Sequence, residues 1–173
     1  MDRALNAALN AGSPDVIVVL QTGSKLARRV AETVRIVYNP EPRNGISGSM
    51  RISVDSVSGS TDAVLFTLAD QPFVSASMLR RLIDTAEKSS AGIISYSVGG
   101  DPRNPALFKS RYFPELISIK GDRGGKVLIK GHEDDAILIQ AQSPACLFDV
   151  DTPETLEEAQ RILSSAELVC GAS

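Results

Sequence analysis

Short apolar runs alternate with longer amphipathic stretches along the chain. The runs are rich in Val, Ile and Leu, which is typical of strands buried on both faces of a sheet. The run at 63–68 is the strongest of them. The predicted strands are residues 16–20, 34–38, 63–68, 92–96, 136–139 and 145–148.

Helical patterns lie between these runs. Residues 2–11 carry two leucines one turn apart and end at Gly12, a common residue just beyond a helix. Ser75 is placed as the N-cap of a helix with an apolar face, and Thr152 precedes a third helix that has proline at its first position. Strands that alternate with helices predict an α/β fold with a mostly parallel, doubly wound sheet.

Composition narrows the class of protein. The 173 residues are 43% hydrophobic and 23% charged, with a net charge of −3, so the chain is globular and has no basic excess for nucleic acid. It holds no apolar run near the roughly 20 residues that cross a bilayer, and no signal-peptide core, so we expect no membrane partner and a cytoplasmic location. Cys146 and Cys170 are too few for a disulfide framework, and we expect reduced thiols.

Candidate functional residues follow the predicted strands. Ligands of open α/β sheets bind outside the carboxyl ends of the strands, so the residues directly after each run are the ones to examine. Glycines, amides and carboxylates collect there. They lie in residues 39–40, 43–50, 70–72, 99–105 and 149–153.

Aspartates at strand ends suit nucleotidyl transfer. Mg²⁺ takes one or two protein carboxylates and completes its shell with phosphates and water, and Asp70 and Asp151 fit that need. Each has a structural alternative: Asp70 as a cap or turn residue before Pro72, and Asp151 as the cap of the helix that follows it. Asp149 is an alternative ligand. In an extended chain, residues two apart point to the same side, so spacing does not decide between Asp149 and Asp151.

Two glycine-containing segments are further candidates. Residues 45–49 could present backbone N–H groups to a phosphate or a base, but they lack the Gly-Lys-Ser/Thr of a P-loop and could be a plain turn. Residues 121–126 could be an anion-binding turn or a solvated surface turn. Periodicity and spacing leave both alternatives open.

Taken together, these segments resemble the MobA-like nucleotidyltransferases, especially the molybdenum cofactor cytidylyltransferases. Residues 39–50 resemble the family's N-P…G-M-x-x-S-L segment, and residues 63–72 resemble its strand ending in G-D-Q-P. Three further segments resemble R-x-H-P-x-L-F, G-D-x-G and D-I-D-T-P-E-D. They are residues 103–108, 121–124 and 147–154. The order and spacing match over about the whole chain.

The resemblance implies a single domain over 1–173, with the Rossmann-like fold of nucleotide-diphospho-sugar transferases. It implies transfer of CMP (or GMP) from CTP or GTP to molybdopterin, with release of pyrophosphate. Asp70 and Asp151 would be catalytic, and Mg²⁺ would lie between Asp70 and the Asp149/Asp151 pair. The implied nucleotide-binding residues are Asn39, Gly45, Ser47, Ser49 and Gln71. The implied acceptor-side residues are Arg103, Asn104, Pro105, Asp122 and Arg123.

The sequence departs from the family pattern in three places. Asn104 replaces a histidine and Ala69 replaces a glycine. The family's opening strand and its triphosphate-gripping loop, L-A-A-G-x-S-x-R-M-G-x-x-K, have no counterpart in these residues. We therefore expect slow catalysis, with a non-catalytic module binding molybdopterin or nucleotide as the alternative. We also expect the strands at 16–20 and 63–68 to pair directly, or a homodimer to form across the open edge.

Overall fold

Five of the six predicted strands form close to their predicted places. The computed structural model describes residues 2–30, 34–41, 43, 45–57, 59–121 and 124–164. Its strands are β1 (Ile17–Gln21), β2 (Arg35–Asn39), β3 (Ala63–Phe66), β4 (Ile93–Val98), β5 (Asp101–Lys109) and β6 (Ala136–Gln140).

The helices include the three that the sequence predicts. They are α1 (Asp2–Asn10), α2 (Ala27–Val30), α3 (Gly45–Ser56), α4 (Ala76–Lys88), α5 (Phe113–Ser118), α6 (Lys126–Gly131) and α7 (Pro153–Ser164). Ser75 caps α4 as predicted, its side chain accepting from the backbone N–H of Met78. None of the helices in the described part of the chain is long and apolar enough to cross a membrane.

The sheet is mainly parallel, which confirms the predicted fold class. β1 and β2 pair in parallel, and so do β4 and β6. The exception is β5, which lies between β3 and β4 and is antiparallel to both, so that β3, β4 and β6 run in one direction. The carboxyl ends of these three strands therefore meet at one edge.

β5 was not predicted as a strand. Arg103, Asn104 and Pro105 were expected just beyond the end of the fourth strand, but they belong to β5. The turn from β4 to β5 consists of Gly99 and Gly100 with φ of 59° and 83°, the two positive angles that a tight hairpin turn requires. This turn sets Asp101 opposite Val98. The prolines at 102 and 105 hide the strand in the sequence because proline is rare inside sheets.

Three other local predictions are wrong. Residues 145–148 do not form a strand: Pro144–Leu147 is a 3-10 helix, started by Ser143, whose hydroxyl accepts from the N–H of Ala145. Residues 45–49 are the beginning of α3 rather than a loop. Cys146 is buried and disulfide-bonded, so the expectation of a free thiol is wrong for it. Cys170 lies outside the described residues.

The core has two parts, one on each face of the four-stranded sheet. On one face, α1 and α4 pack with the β-sheet around Leu79, Leu82 and Ile94. On the other face, α3, α5 and α6 pack around Phe108, Leu116 and Ile129. This arrangement has helices on both sides of the sheet, as a doubly wound fold requires.

The sheet is interrupted between β1 and β3. Within the described residues, the hydrogen-bonded ladders form one sheet of β1 and β2 and a separate one of β3, β5, β4 and β6. The expectation that β1 and β3 pair directly is therefore wrong. All four residues of β3, and Ile17, Val18 and Val19 of β1, are only half-buried, although their apolar composition is that of central strands.

An ion-pair network ties the start of β4 to the start of β6. The Asp135 carboxylate accepts hydrogen bonds from Arg111 Nη2 at 2.7 Å, from the Tyr112 hydroxyl at 2.7 Å and from Gly92 N at 3.1 Å. These bonds, from Tyr112 first and then Arg111, lower the pKa of Asp135 to about 2. The contribution of Asp135 to stability is therefore present above its unfolded pKa and is lost as the pH falls through about 2.

We predict that Asp135→Asn lowers the free energy of unfolding at pH 7 by on the order of 1 kcal/mol, because the carboxylate is partly screened by solvent. The difference from wild type should shrink between about pH 4 and about pH 2 in urea unfolding curves. Asp134→Asn is the matched control, because Asp134 is exposed and adjacent. Equal losses for both variants at neutral pH, or a loss for Asp135→Asn that does not change with pH, would contradict the role of this network.

Candidate active site

Asp70 and the segment before α7 meet at the carboxyl edge of the sheet. Asp70 follows β3 by a short turn, and its carbonyl oxygen accepts a hydrogen bond of 2.9 Å from the backbone N–H of Val150. This bond places Asp149 and Asp151, the neighbours of Val150, beside Asp70. Both act on the Asp70 carboxyl through their charge and raise its pKa, and the Asp151 side chain adds to this.

Gln71 joins the same two segments through its side chain. It is buried, and its Nε2 donates to Asp149 Oδ1 at 2.9 Å. Asp149 is therefore already engaged by an amide, and both Asp149 and Asp151 raise the pKa of the Asp70 carboxyl. The structure brings together four of the predicted site residues: Asp70, Gln71, Asp149 and Asp151.

Neither Asp70 nor Asp151 caps a helix. Ser75 is the N-cap of α4, and the Thr152 hydroxyl accepts from the N–H of Thr155 at the start of α7. The Thr155 hydroxyl in turn accepts from the N–H groups of Asp151 and Thr152, at 3.0 and 2.9 Å. Other residues thus cap both helices, whereas the turn alternative for Asp70 stands, because Asp70 lies in the turn that follows β3.

The surroundings of Asp70 disfavour its charge. Burial raises the pKa of the Asp70 carboxyl above its usual range; a hydrogen bond from its own backbone N–H opposes this, and the charges of Asp149 and Asp151 raise the pKa further. Carboxylates that crowd one another in this way are stabilised by a cation.

Buried polar atoms without a hydrogen-bond partner concentrate here. Among the described residues there are four such side-chain atoms, and three of them are Thr67 Oγ1, Asp70 Oδ1 and Gln71 Oε1. Native proteins leave few buried polar atoms unpaired, and each one is a candidate for contact with an ion or a ligand. Their position within five consecutive residues after β3 marks this turn as the centre of the site.

The geometry suits a shared cation rather than a closed metal cage. No group of three or more His, Cys, Asp or Glu side chains in the described part of the chain is arranged to hold a metal ion. Asp70 and Asp151 offer two carboxylates, which is the number Mg²⁺ commonly takes when substrate phosphates supply the remaining ligands. The pair could therefore hold a divalent ion together with a nucleotide.

The predicted nucleotide-side residues lie around the end of β2 and the start of α3. Asn39 is buried; its Nδ2 donates to Ser49 Oγ at 3.2 Å and its Oδ1 accepts from Glu41 N at 2.9 Å. Ser47 is also buried. Gly45 starts α3 with φ of 66°. Asn39 and Ser49 thus fix the turn between β2 and α3.

The predicted acceptor-side residues divide into two groups. Arg103, Asn104 and Pro105 belong to β5, where the Arg103 side chain is exposed and Pro105 is fully buried. Asp122 and Arg123 lie outside the described residues. His132 pairs through Nε2 with Glu115 Oε2 at 2.9 Å and packs against the Tyr112 ring, so it has a partner at the surface.

The sequence analysis missed Thr67. A hydroxyl inside the apolar run at 63–68 was the available signal, since a polar group buried at a strand end calls for a partner. Lys130 was missed as well, because it lies on the short helix α6 beyond the candidate segment 121–126, which includes Lys126.

Residues 1–136 match the model of the MobA-like NTP transferase domain. The chain belongs to this family. The resemblance to the MobA-like family that was inferred from the motifs is confirmed.

Two curated relatives match this MobA-like domain. The purine catabolism protein PucB of Bacillus subtilis (strain 168) is 34% identical over 104 residues, which are 60% of this chain and 49% of PucB. The matched part thus spans about half the length of that relative. The nicotine blue oxidoreductase of Paenarthrobacter nicotinovorans is 26% identical over 164 residues, 90% of this chain and 80% of the relative.

Solved structures show the same fold. A nucleotidyl transferase from Methanothermobacter thermautotroptrophicus (Mth528) has a TM-score of 0.79 at 18% identity, covering 96% of this chain and 81% of its own. Rv0371c of Mycobacterium tuberculosis H37Rv in complex with manganese has a TM-score of 0.68 at 23% identity (91% and 83% covered). Molybdopterin-guanine dinucleotide biosynthesis protein A of Archaeoglobus fulgidus has a TM-score of 0.65 at 15% identity (94% and 86% covered).

We predict that Asp70→Asn stabilises the metal-free protein at pH 7. With its folded pKa raised, the charged carboxyl lowers stability as the pH rises through that pKa, and the amide removes this effect. Thermal melts should show a rise of a few degrees. Mn²⁺ at about ten times its Kd should stabilise wild type by about 1.4 kcal/mol, or roughly 3–6 °C, and leave Asp70→Asn unchanged.

Asp55→Asn is the control, because Asp55 is an exposed carboxylate on α3, away from the cluster. Its Mn²⁺ response should equal that of wild type. Equal Mn²⁺ stabilisation of Asp70→Asn and wild type would show that the ion does not use Asp70.

Proposed function

We propose that this MobA-like domain transfers a nucleotide, CMP or GMP, from the corresponding triphosphate to a phosphorylated acceptor of the molybdopterin type. The observation that carries the proposal is the buried Asp70 Oδ1, which has no hydrogen-bond partner and lies beside the Asp151 carboxylate. An unpaired anionic oxygen in a crowded carboxylate site is the feature that a metal–nucleotide complex would satisfy.

A divalent cation fits these residues. Asp70 and Asp151 would hold it, while Asp149 would orient the site through Gln71, to which it is hydrogen-bonded. Mg²⁺ is the proposed ion, and the manganese complex of Rv0371c supports a divalent metal in a protein of this fold. When bound, the ion would offset negative charge that develops on the phosphates of the nucleotide.

The reaction needs no general base from the chain. An oxygen of the acceptor phosphate, already mostly ionised near neutral pH, attacks the α-phosphorus in line. The bond from that oxygen to the α-phosphorus forms as the bond to the β-phosphate oxygen breaks, and pyrophosphate leaves. The chain's part is to position the two reactants, which fits a site built from carboxylates and amides and without a nucleophile–base pair among its named residues.

The nucleotide would lie over the start of α3. We place the base and ribose near Asn39, Gly45 and the two serines Ser47 and Ser49, with Gln71 Oε1 as a buried acceptor for a nucleotide N–H or O–H. Since Ser47 is buried and Ser49 is bonded to Asn39, their proposed part is to shape the turn rather than to contact the base through their side chains.

The molybdopterin-type acceptor is supported by the motif resemblance and by the fold shared with a molybdopterin-guanine dinucleotide biosynthesis protein. We place the acceptor on the β5 side, near Arg103 and Asn104, with Pro105 as a buried support. Asp122 and Arg123 are part of the same proposal on the strength of the motif alone. CMP is proposed ahead of GMP because residues 70–72 and 149–153 resemble the cytidylyltransferase branch.

A non-catalytic binding module is the second candidate. The interrupted sheet favours it, because β1 and β3 do not share a ladder and the nucleotide side is therefore not tied by strand pairing to the carboxylates. Such a module would bind molybdopterin or its dinucleotide without turnover. A homodimer that lends a strand to the open edges is a further proposal, since unpaired strand edges recruit other strands.

Calorimetry followed by a transfer assay tests the proposed function. The 173-residue chain should bind CTP with Mg²⁺ at least about tenfold more tightly than GTP with Mg²⁺. Asp70→Ala and Asp151→Asn should each weaken CTP binding at least about tenfold, because each removes a charged ligand of the ion. With molybdopterin added, α-labelled CTP should yield labelled product and pyrophosphate.

Asp55→Asn serves again as the control and should bind CTP as wild type does. Nucleotide binding with no product at any enzyme concentration would favour the binding module over the transferase. Absence of CTP and GTP binding, or binding that survives Asp70→Ala and Asp151→Asn together, would contradict the proposed transferase.

A further inference from the structure

Three basic side chains converge on one carboxylate next to the β4–β5 turn. Asp101, the first residue of β5, contacts Lys126 Nζ at 2.6 Å, Lys130 Nζ at 3.3 Å and Arg103 Nε at 3.4 Å. We call Arg103, Lys126 and Lys130 the cationic cluster. Three positive charges against one negative charge leave an excess of two positive charges at this point.

The convergence is not explained by stability. The three basic side chains are 43–54% exposed, and ion pairs at such positions contribute little to folding. Gathering three long, flexible side chains around one carboxylate also costs rotamer entropy. A single lysine would suffice to pair Asp101, so the second and third cations are in excess of what the fold needs.

The backbone fixes the cluster in place. Lys126 and Lys130 are four residues apart and therefore share one face of α6. Gly125, directly before α6, lies so close to the core that a Cβ there would be 2.6 Å from Phe108 Cζ and 3.3 Å from Met50 Cε. The start of α6 is thus held against β5 and α3. This contact fixes the backbone from which the side chains of Lys126 and Lys130 extend.

The cluster lies at the same edge of the sheet as the Asp70 site. Asp101 pairs with Val98 at the carboxyl end of β4. Phe66, at the end of β3, pairs with Ala106 of β5, so the chain from Phe66 to Asp70 continues alongside the first residues of β5. Gly124 lies near Ile46 at the start of α3, the proposed nucleotide side.

We propose that the cationic cluster binds the phosphate group of the acceptor, and that Asp101 occupies this oxyanion site when the acceptor is absent. This inference rests on the proposed transferase function. A phosphate monoester carries a charge of about −1.5 to −2 near pH 7, which matches the excess of two positive charges. Its oxygens can accept from both ammonium groups and the guanidinium at once.

Asp101 is suited to the role of an internal stand-in. The hydrogen bonds from Lys126 and, less strongly, Lys130 hold the pKa of Asp101 below its usual range, so it is an anion at neutral pH. An incoming phosphate would take over the three basic groups and leave the Asp101 carboxylate to water. The site thereby discriminates in favour of dianionic acceptors over singly charged ones.

Phenyl phosphate is a suitable probe of the site, since it is a monoester without a nucleotide. In calorimetry the wild-type chain should bind it saturably in the millimolar range. Lys126→Ala combined with Lys130→Ala should weaken this binding at least about tenfold, Lys126→Arg should retain it within about threefold, and Asp101→Asn should strengthen it several-fold. Affinity for CTP with Mg²⁺ should change less than about twofold in all three.

Lys88→Ala is the matched control, because Lys88 is an exposed lysine at the end of α4, near the opposite edge of the sheet. It should bind phenyl phosphate as wild type does. No saturable binding by wild type, or binding unaffected by loss of both lysines, would overturn the proposal. An equal loss of CTP affinity in the double variant would overturn it too, because the cluster would then serve the triphosphate. If CTP binding is normal while phenyl phosphate fails, the proposed function stands without this acceptor site.

Discussion

One backbone hydrogen bond, from the N–H of Val150 to the carbonyl oxygen of Asp70, joins the two segments that form the site. Without it, the carboxylates after β3 and those before α7 would belong to separate surface turns. With it, Asp70, Asp149 and Asp151 lie together, and the buried amide of Gln71 reinforces the same junction through Asp149. The closeness of these three negative charges follows from the hydrogen bond between Val150 and Asp70.

Hydroxyl groups, rather than these carboxylates, cap the two neighbouring helices, so the carboxylates are not used as helix caps. Ser75 and Thr152 cap the two helices that Asp70 and Asp151 could have capped. The result is an arrangement that weakens the metal-free protein, since burial and like charges oppose the ionised form of Asp70. Ion-binding sites commonly retain such a loss of stability, because a bound cation offsets the repulsion between the carboxylates.

Sequence reasoning located the strands and the Asp70–Asp151 cluster because both depend on local signals: apolar runs, helix starts, and carboxylates at strand ends. It failed where non-local pairing decides. β5 carries two prolines and was missed, although the Gly99–Gly100 pair is typical of a hairpin turn. The charge excess around Asp101 depends on α6 packing against β5, which no local pattern encodes. The missing counterpart of the family's opening strand did indicate a gap between β1 and β3. The expected direct pairing across that gap was wrong, although it would have satisfied more backbone groups.

The central claim is that Asp70 and Asp151 hold one divalent ion together with the phosphates of a nucleotide. A crystal structure of the chain grown with CTP and Mn²⁺, with anomalous scattering measured at the manganese edge, tests it most directly. The account predicts one manganese peak bonded to an oxygen of Asp70, an oxygen of Asp151 and the phosphates. A nucleotide bound with its manganese elsewhere, and Asp70 Oδ1 still unpaired, would contradict it.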